Sequence, residues 1–156
     1  MLETGTRLPS LPLQDTTGRR VTLDDGTPGR AALVYFMRSK SCAICTRHAK
    51  DLDRRAEEYK RKGVQVYIAI PEGHDDAVEW KARHQVGVAV VAAAAGSAYD
   101  TVGLTRKVFG SVQQSGAILV DSNGTVCYAH SATMPTGSYD RQGIADAVDA
   151  YSRSRP

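Results

Sequence analysis

Two largely apolar runs with a striped segment between them dominate the hydrophobic pattern of the chain. Ala31–Phe36 is apolar throughout, which predicts a strand covered on two faces, and Val64–Ile70, apolar except for Gln65, predicts a second central strand. Between them, apolar positions recur with the spacing of one helix face: Cys45, Ala49, Leu52, Ala56 and Tyr59. Gly63 ends this helix and Pro71 ends the second run. The pattern predicts a βαβ unit with parallel strands and a right-handed crossover.

Weaker elements lie on both sides of this unit. Asn123-Gly124 between two apolar segments is a hairpin signal. The elements that we expect are an N-terminal hairpin-like elaboration over 1–30, a helix at 77–84, a strand within 86–95, a short helix at 99–109, a hairpin of strands at 117–120 and 125–129, and a closing amphipathic helix at 144–151. This order, βαβ–α–ββα after an N-terminal β-hairpin elaboration, predicts an α/β protein with a thioredoxin-like fold. A length of 156 residues fits a single domain over 1–156.

The composition is that of an ordinary globular protein. Hydrophobic residues make up 42% and charged residues 24% of the chain, which excludes a disordered or collagen-like sequence. The longest uncharged apolar run, 86–95, is about half of a bilayer crossing, and the first residues lack the basic and apolar regions of a secretory signal. We therefore expect a cytoplasmic protein without a membrane partner. The basic residues between 38 and 62 interleave with acidic ones as on a solvated helix face, so no nucleic-acid partner is expected.

Three cysteines are the most informative part of the composition. Three is an odd number and too few to staple a domain of this size, so chemistry or metal binding is expected rather than a disulfide scaffold. Cys42 and Cys45 form a Cys-x-x-Cys pair where the first strand gives way to the helix, and this spacing places both sulfurs on one side of the first turn. Unpaired N–H groups and the helix dipole stabilise an anion there, which predicts a lowered thiol pKa. Arg38, Lys40 and Arg47 add positive charge.

Cys127 and two histidines are weaker candidates. Cys127 and His130 could complete a four-ligand zinc set with the Cys-x-x-Cys pair. Residues three apart on a strand point to opposite faces, however, so no metal site is expected, and Cys127 is interpreted as a core or half-buried strand residue. His48, one turn beyond Cys45, could shuttle a proton, but its place beside the apolar stripe favours a role in covering the helix flank.

Several segments carry a resemblance to a known family. They are Leu8-Pro9, Leu13-Gln14-Asp15, Phe36 through Thr46, Pro71-Glu72, Tyr99 to Leu104 and the hairpin at 120–124. These segments resemble the AhpC/TSA peroxiredoxin-like proteins of the thioredoxin-fold superfamily, most closely a subgroup with Cys-x-x-Cys, and Cys45 falls at the peroxidatic position. The resemblance implies an antioxidant thiol oxidoreductase without a cofactor, acting on a hydroperoxide through a redox-active disulfide. It also implies an external thiol reductant, either a thioredoxin-like protein or a low-molecular-weight thiol, and it leaves a homodimer open.

Several positions depart from the pattern of that family. The proline position of its motif holds Arg38 and the threonine position holds Cys42. The segment 113–116 stands where an arginine is expected shortly before the late strand. Thioredoxins carry a cis-proline there, and no proline lies between Pro71 and Pro135. The chain thus lacks one signature element of each parent family.

Three hypotheses follow for the Cys-x-x-Cys pair. In the first, Cys45 attacks a hydroperoxide and becomes a sulfenic acid, which Cys42 resolves to a disulfide, with Arg38 and Ser41 in supporting positions. In the second, Cys42 is the nucleophile of thiol–disulfide exchange without peroxidase activity, and Cys45 resolves. In the third, the chain is a non-catalytic redox-sensing or zinc module. The sequence leaves open which cysteine attacks first.

Overall fold

The two apolar runs form the centre of a mixed sheet in the computed structural model, which describes residues 1–23, 29–93, 97–107 and 112–155. The strands are β1 (Gln14–Asp15), β2 (Ala31–Phe36), β3 (Val64–Ile70), β4 (Ala89–Ala92), β5 (Arg106–Lys107), β6 (Val112–Gln113), β7 (Ser115–Val120) and β8 (Val126–Ala132). The helices are α1 (Ala43–Arg61), α2 (His74–His84), α3 (Ser97–Thr101) and α4 (Arg141–Ser154), with a 3-10 turn at Pro135–Gly137. The element order confirms the thioredoxin-like α/β fold.

Strand β2 lies in the interior of the sheet. The strand order is β1-β4-β3-β2-β7-β8, and a separate two-stranded sheet joins β5 to β6. β2 runs parallel to β3, with Ala31 opposite Val64, and antiparallel to β7, with Phe36 opposite Gly116. Every residue of β2 is buried. The predicted βαβ unit is confirmed, and the carboxyl end of β2 leads into the loop before α1.

Successive residues of β2, and Met37 after it, face two separate cores. Leu33, Tyr35 and Met37 pack on the side of α1 and α4, where both cysteines of the Cys-x-x-Cys pair also lie. Val34 and Phe36 pack on the opposite side, against the N-terminal segment and α3. This is the two-residue period of a strand. Tyr35 therefore lies on the cysteine side of the sheet, and Phe36, the next residue of β2, lies on the other side.

The predicted stripe along α1 is the surface that packs on the sheet. Cys45, Ala49, Leu52 and Tyr59 are buried, and Ala56 is half-buried against the same core. The buried stripe fixes the start of α1 against the end of β2. Within the described residues, no helix has the length and apolarity that a bilayer crossing requires.

Two helices begin earlier than the sequence pattern predicts. α2 starts at His74 because Gly73 acts as its N-cap, and Asp75 and Asp76 fit the first turn, where the helix dipole favours acidic residues. α4 starts at Arg141, since the carboxylate of Asp140 accepts a hydrogen bond from the amide of Gly143. Both differences arise from capping, which apolar periodicity does not register.

The short helix expected at 99–109 is confirmed only at its start, 99–101, and its expected extent is wrong. α3 ends at Thr101, Gly103 adopts a φ of 81°, and the amide of Leu104 donates to the carbonyl of Tyr99 at 2.8 Å. The chain then forms β5, which pairs antiparallel with β6. A glycine in the left-handed region ends a helix without steric cost, and this outweighs the short apolar pattern around it. Residues 108 and 109 of the expected helix lie outside the described residues. The strand expected within 86–95 is β4. Residues 94 and 95 of that segment also lie outside the described residues.

The N-terminal elaboration folds back on itself and also extends the sheet. The amide of Val21 donates to the carbonyl of Leu13 at 2.9 Å, and a single bridge joins Gln14 to Arg20. β1 pairs antiparallel with β4 at the edge of the sheet. The first arm of the predicted hairpin is therefore an edge strand, and the elaboration covers the side of the sheet opposite the cysteines.

Candidate active site

Cys42 is the N-cap residue of α1. Its backbone is extended, and its sulfur accepts a hydrogen bond from the amide of Cys45 with a nitrogen–sulfur distance of 3.3 Å. A thiol thus takes the position in which serine or threonine usually caps a helix. The side chain of Cys42 is 4% exposed. The two cysteines meet in the first turn as the spacing predicts, and the amide of Cys45 at the start of the helix points at the sulfur of Cys42.

Cys45 is sealed inside the protein. It is 0% exposed, and its sulfur accepts the amide hydrogen of Arg38 at 3.4 Å. Burial and the neighbouring sulfur of Cys42 raise the pKa of Cys45 to about 11, although the Arg38 amide and the Tyr35 hydroxyl act in the opposite direction. The prediction that the helix start lowers the thiol pKa is therefore wrong for Cys45. Desolvation of a buried thiolate costs more than these hydrogen bonds return.

The loop before Cys42 is anchored to the start of α2. The amide of Lys40 donates to the carboxylate of Glu72 at 3.0 Å, and the ammonium of Lys40 pairs with Asp76. Part of the positive charge expected beside the thiols is thus neutralised. Ser41 is exposed and its hydroxyl bonds Ser39 at 3.1 Å, whereas Arg38 reaches Cys45 through its backbone amide.

A tyrosine that the sequence analysis did not single out lies beside Cys45. The hydroxyl of Tyr35 is 2.9 Å from Nδ1 of His48 and 3.0 Å from Oγ of Ser138, and Tyr35 packs in the same buried core as Cys45, whose pKa its hydroxyl lowers. Tyr35 is 0% exposed, and burial raises its pKa far above the ordinary value. The available signal was a hydroxyl inside an otherwise apolar buried strand, because such a group needs a partner.

His48 does more than cover the flank of α1. It is half-buried, bonds the hydroxyl of Tyr35, and stacks on the ring of Tyr139 with a centroid distance of 4.9 Å. Burial, with the positive charge of Arg47, lowers the pKa of His48, and the charge of Asp51 opposes this shift. Its ring is therefore neutral near pH 7, which leaves a nitrogen able to accept a proton.

Comparison with known proteins decides the family. The sequence profile described as "AhpC/TSA family" matches residues 4–129. The chain belongs to the AhpC/TSA family. It is accordingly a thiol-dependent oxidoreductase of the peroxiredoxin-like type, as the resemblance of its segments implies. Among curated proteins, a search finds no match to this AhpC/TSA sequence.

Solved structures share the fold of this AhpC/TSA chain at low sequence identity. Peroxidoxin BcpB from Mycobacterium tuberculosis has a TM-score of 0.78 at 16% identity, over 99% of this chain and 98% of that one. Reduced Prx3 in complex with hydrogen peroxide, from Vibrio vulnificus, has a TM-score of 0.79 at 18% identity, over 95% and 99%. A putative protein disulfide isomerase from Bacteroides thetaiotaomicron has a TM-score of 0.69 at 14% identity, over 96% and 88%.

In this AhpC/TSA protein, the segment 113–116, which stands where the family arginine is expected, makes contacts within the fold. The side-chain amide of Gln113 donates to the carbonyl of Leu104 at 2.6 Å, so it holds the loop before β7. Ser115 follows at the start of β7, is 0% exposed, and has no hydrogen-bond partner for its hydroxyl among the described residues. The segment that replaces the family arginine is therefore packed into the fold.

Cys127 lies half-buried on β8, as predicted, but the argument that separated it from His130 is wrong. The pairing of β7 with β8 shifts register between Leu119 and Val120, and this irregularity lets Cys127 pack on the same core as its neighbour Tyr128. His130 stands opposite Ala117, which belongs to that core as well. The sulfur of Cys127 donates to the carbonyl of Thr125, and Nε2 of His130 meets the carbonyl of Gly137. In the described part of the chain, no group of three or more His, Cys, Asp and Glu side chains is arranged to hold a metal ion.

Proposed function

We propose that this AhpC/TSA protein reduces a hydroperoxide by cycling Cys42 and Cys45 between a dithiol and a disulfide. The observation that carries the proposal is the contact of the pair in the first turn of α1, where the amide of Cys45 lies 3.3 Å from the sulfur of Cys42. The family assignment supplies the substrate class. The two thiols carry both electrons, so the cycle uses an external thiol as reductant, a thioredoxin-like protein or a low-molecular-weight thiol, and no cofactor.

The surroundings of the two sulfurs favour Cys42 as the first nucleophile, although the family resemblance assigns that role to Cys45. The sulfur of Cys42 lies at the N-cap of α1 and accepts a hydrogen bond from the amide of Cys45. Cys45 is 0% exposed, and its pKa of about 11 keeps it protonated. A nucleophile must be both ionised and reachable. Cys45 meets neither condition, and Cys42, at 4% exposed, is the less buried of the two, which supports attack by Cys42 and resolution by Cys45.

The reaction then has two steps at sulfur. The thiolate of Cys42 attacks the terminal oxygen of the hydroperoxide, so that an S–O bond forms, the O–O bond breaks and the alcohol leaves with one proton. The thiol of Cys45 loses its proton and attacks the resulting sulfenic acid, so that the S–S bond forms, the S–O bond breaks and water leaves. Two equivalents of external thiol reduce the disulfide.

A disulfide substrate is the second candidate. It is favoured by the arrangement of Cys42 at the helix start backed by a sealed Cys45, because exchange needs one attacking and one resolving thiol. It is also favoured by the loss of the threonine of the family motif, whose position Cys42 occupies. Attack on a disulfide would give a mixed disulfide on Cys42, and Cys45 would release the second thiol.

Two further properties belong to the proposal. A cytoplasmic location would supply the reduced thiols that regenerate the pair. A homodimer is the assembly that the family resemblance leaves open, and the molar mass of the purified protein in solution tests it.

Mass spectrometry of single-cysteine variants tests the order of attack. With one equivalent of hydrogen peroxide and a sulfenic-acid trapping reagent, we expect Cys45→Ser to carry the trapped adduct on Cys42 and Cys42→Ser to carry none. The wild type should show the Cys42–Cys45 disulfide, and Cys127→Ser, the matched control, should behave like the wild type. An adduct on Cys45 of Cys42→Ser alone would return the attack to Cys45. If peroxide gives neither product while an aromatic disulfide gives a mixed disulfide on Cys42, the second candidate replaces the first.

A further inference from the structure

Cys45 needs a route by which its proton can leave. Its side chain is 0% exposed, so bulk water does not reach the S–H group. With a pKa of about 11, roughly one molecule in ten thousand carries the thiolate at pH 7. The resolving step of the proposed cycle therefore needs a base, and the base must reach Cys45 from inside the protein.

The hydroxyl of Tyr35 is the polar group that connects Cys45 to a base. Tyr35 packs in the same buried core as Cys45, where its hydroxyl lowers the pKa of the thiol, and the hydroxyl lies 2.9 Å from Nδ1 of His48. Tyr35 has one hydroxyl hydrogen, which it can donate to His48 while its oxygen accepts the S–H hydrogen of Cys45. Oγ of Ser138 lies 3.0 Å from the same oxygen and 2.8 Å from the carbonyl of Pro135, so its one hydrogen can be donated to either acceptor.

His48 is suited to receive a proton and to pass it outward. Its ring is half-buried, and burial with the charge of Arg47 lowers its pKa, so the ring is unprotonated near pH 7. Asp51, one turn along α1, opposes this shift and becomes the nearest negative charge once the ring is protonated. The titratable and charged groups that face the ring or hold Asp51 in place are Tyr35 from β2, Arg47, Asp51, Arg54 and Arg55 from α1, Tyr139 before α4, and Arg141 from α4.

We propose that Tyr35 and His48 form a proton relay that deprotonates Cys45 as Cys45 attacks the oxidised Cys42. The S–H bond of Cys45 breaks, its proton moves to the oxygen of Tyr35, and the hydroxyl proton of Tyr35 moves to Nδ1 of His48. The S–S bond forms while the bond from Cys42 to its leaving group breaks. A sulfenic acid then loses hydroxide, which takes up one proton from solvent to become water, and a mixed disulfide loses a thiolate. His48 afterwards gives its proton to solvent.

The inference rests on the proposed function, and one probe separates the two. An aromatic disulfide releases one coloured thiolate when Cys42 attacks and a second one when Cys45 closes the ring. In a single turnover at pH 7, we expect Tyr35→Phe and His48→Asn to release the first thiolate within about twofold of the wild-type rate. We expect the second release to slow by about a hundredfold, the low end of what a general base contributes.

The pH profile of the second release separates a relay from a merely structural role. The wild-type rate should rise with pH through the lowered pKa of His48 and then level off. Both variants should lose this inflection and rise steadily into alkaline pH, as the thiol ionises directly. Ser138→Ala removes another hydrogen bond to the same hydroxyl and should keep the inflection, and the asparagine of His48→Asn can still hydrogen-bond Tyr35 without titrating.

The outcomes distinguish failure of the proposed cycle from failure of the relay alone. A wild type that releases the first thiolate but never the second overturns the proposed cycle and the relay with it. A wild type that releases both, with variants that keep its second rate and its inflection, overturns the relay alone. Loss of the inflection in Ser138→Ala as well would also overturn the relay, because the network would then act only by holding Cys45 in place. Thermal unfolding of each variant shows whether it is folded, and His48→Asn, at a half-buried position, is informative even if Tyr35→Phe is not.

Discussion

Two fully buried tyrosines lie on opposite sides of the sheet and differ in what their hydroxyls meet. Tyr99 of α3 packs edge-on against Phe36, with a centroid distance of 5.1 Å, and donates to the carbonyls of Met37 and Ala69. Tyr35 meets a histidine, a serine and a thiol on the other side. A backbone carbonyl accepts a hydrogen bond but does not take a proton near neutral pH, whereas an imidazole does both. The same side chain is thus a structural tie in one core and a candidate for proton transfer in the other.

The largest difference between the two tyrosines should be kinetic. Tyr35→Phe removes the relay and should slow disulfide closure by about a hundredfold, while Tyr99→Phe should change that rate by less than about threefold. Stopped-flow measurement of the second thiolate release compares the two variants directly. Equal slowing in both variants would mean that the loss of any buried hydroxyl disturbs the site. The two tyrosines would then not differ in their role in proton transfer.

The second difference should be in stability, and it runs the other way. Tyr99→Phe removes the hydroxyl that donates to the carbonyl of Met37, while the carbonyl of Ala69 keeps the amide of Met37 as a donor, and the change should lower the free energy of unfolding by about 1–3 kcal/mol. Tyr35→Phe should cost about 1 kcal/mol or less, because Ser138 keeps its bond to the carbonyl of Pro135 and His48 is partly open to water. Urea unfolding with an unchanged m-value checks both figures. A larger loss of unfolding free energy in Tyr35→Phe than in Tyr99→Phe would contradict the structural role assigned to Tyr99.

The thiol beside Tyr35 should make stability sensitive to alkaline pH. The pKa of Cys45 is raised to about 11 in the folded chain, so the stability linked to its protonated form is complete below its ordinary pKa and is lost as the pH rises toward 11. Between pH 8 and 10 the reduced protein should lose about 1 kcal/mol through this group. The measurement is the difference in unfolding free energy between wild type and Cys45→Ser at both pH values, with Tyr99→Phe as the control that keeps the loss. A difference that does not change with pH would show that the thiol is not desolvated.

The smallest effect should appear on the acid side. The pKa of His48 is lowered in the folded chain, so the unfolded chain binds more protons, and stability that is complete above the ordinary histidine pKa declines as the pH falls below it. His48→Asn should remove part of the decline between pH 7 and 5.5. Burial also lowers the pKa of His84, so His84→Asn is the matched comparison, and only His48→Asn should alter closure kinetics as well. An acid decline that is identical in wild type and His48→Asn would show that the ring is not shielded from water.

The elements that apolar pattern predicted well are those whose burial is set by long runs. The residues of β2 are apolar without interruption, those of β3 are apolar except for Gln65, and the α1 stripe repeats over four turns, so tertiary packing reinforced the local pattern. The helix expected at 99–109 had one turn of apolar periodicity, which the turn at Gly103 overrode. Short segments carry too little periodic information to resist a single strong turn residue.

The site was predictable where its geometry is local. Cys42 and Cys45 are three positions apart, and a single helix turn brings the amide of Cys45 to the sulfur of Cys42. The pKa of Cys45 was not predictable, because it depends on how completely the sheet, α1 and α4 exclude water. Tyr35 and Ser138 were missed because their contact joins distant parts of the chain, and no local spacing encodes it.

Ser138 lies 103 residues after Tyr35 in the chain. At about 5–20 residues per second on a ribosome, roughly 5–20 s separate the synthesis of the two partners. β7, which pairs with β2, is also made well after the cysteines. In a growing chain, both thiols are therefore made before the later segments that bury Cys45. In that interval they react as ordinary accessible cysteines. The chemistry that distinguishes one sulfur from the other belongs to the finished molecule and begins only when its last quarter has been made.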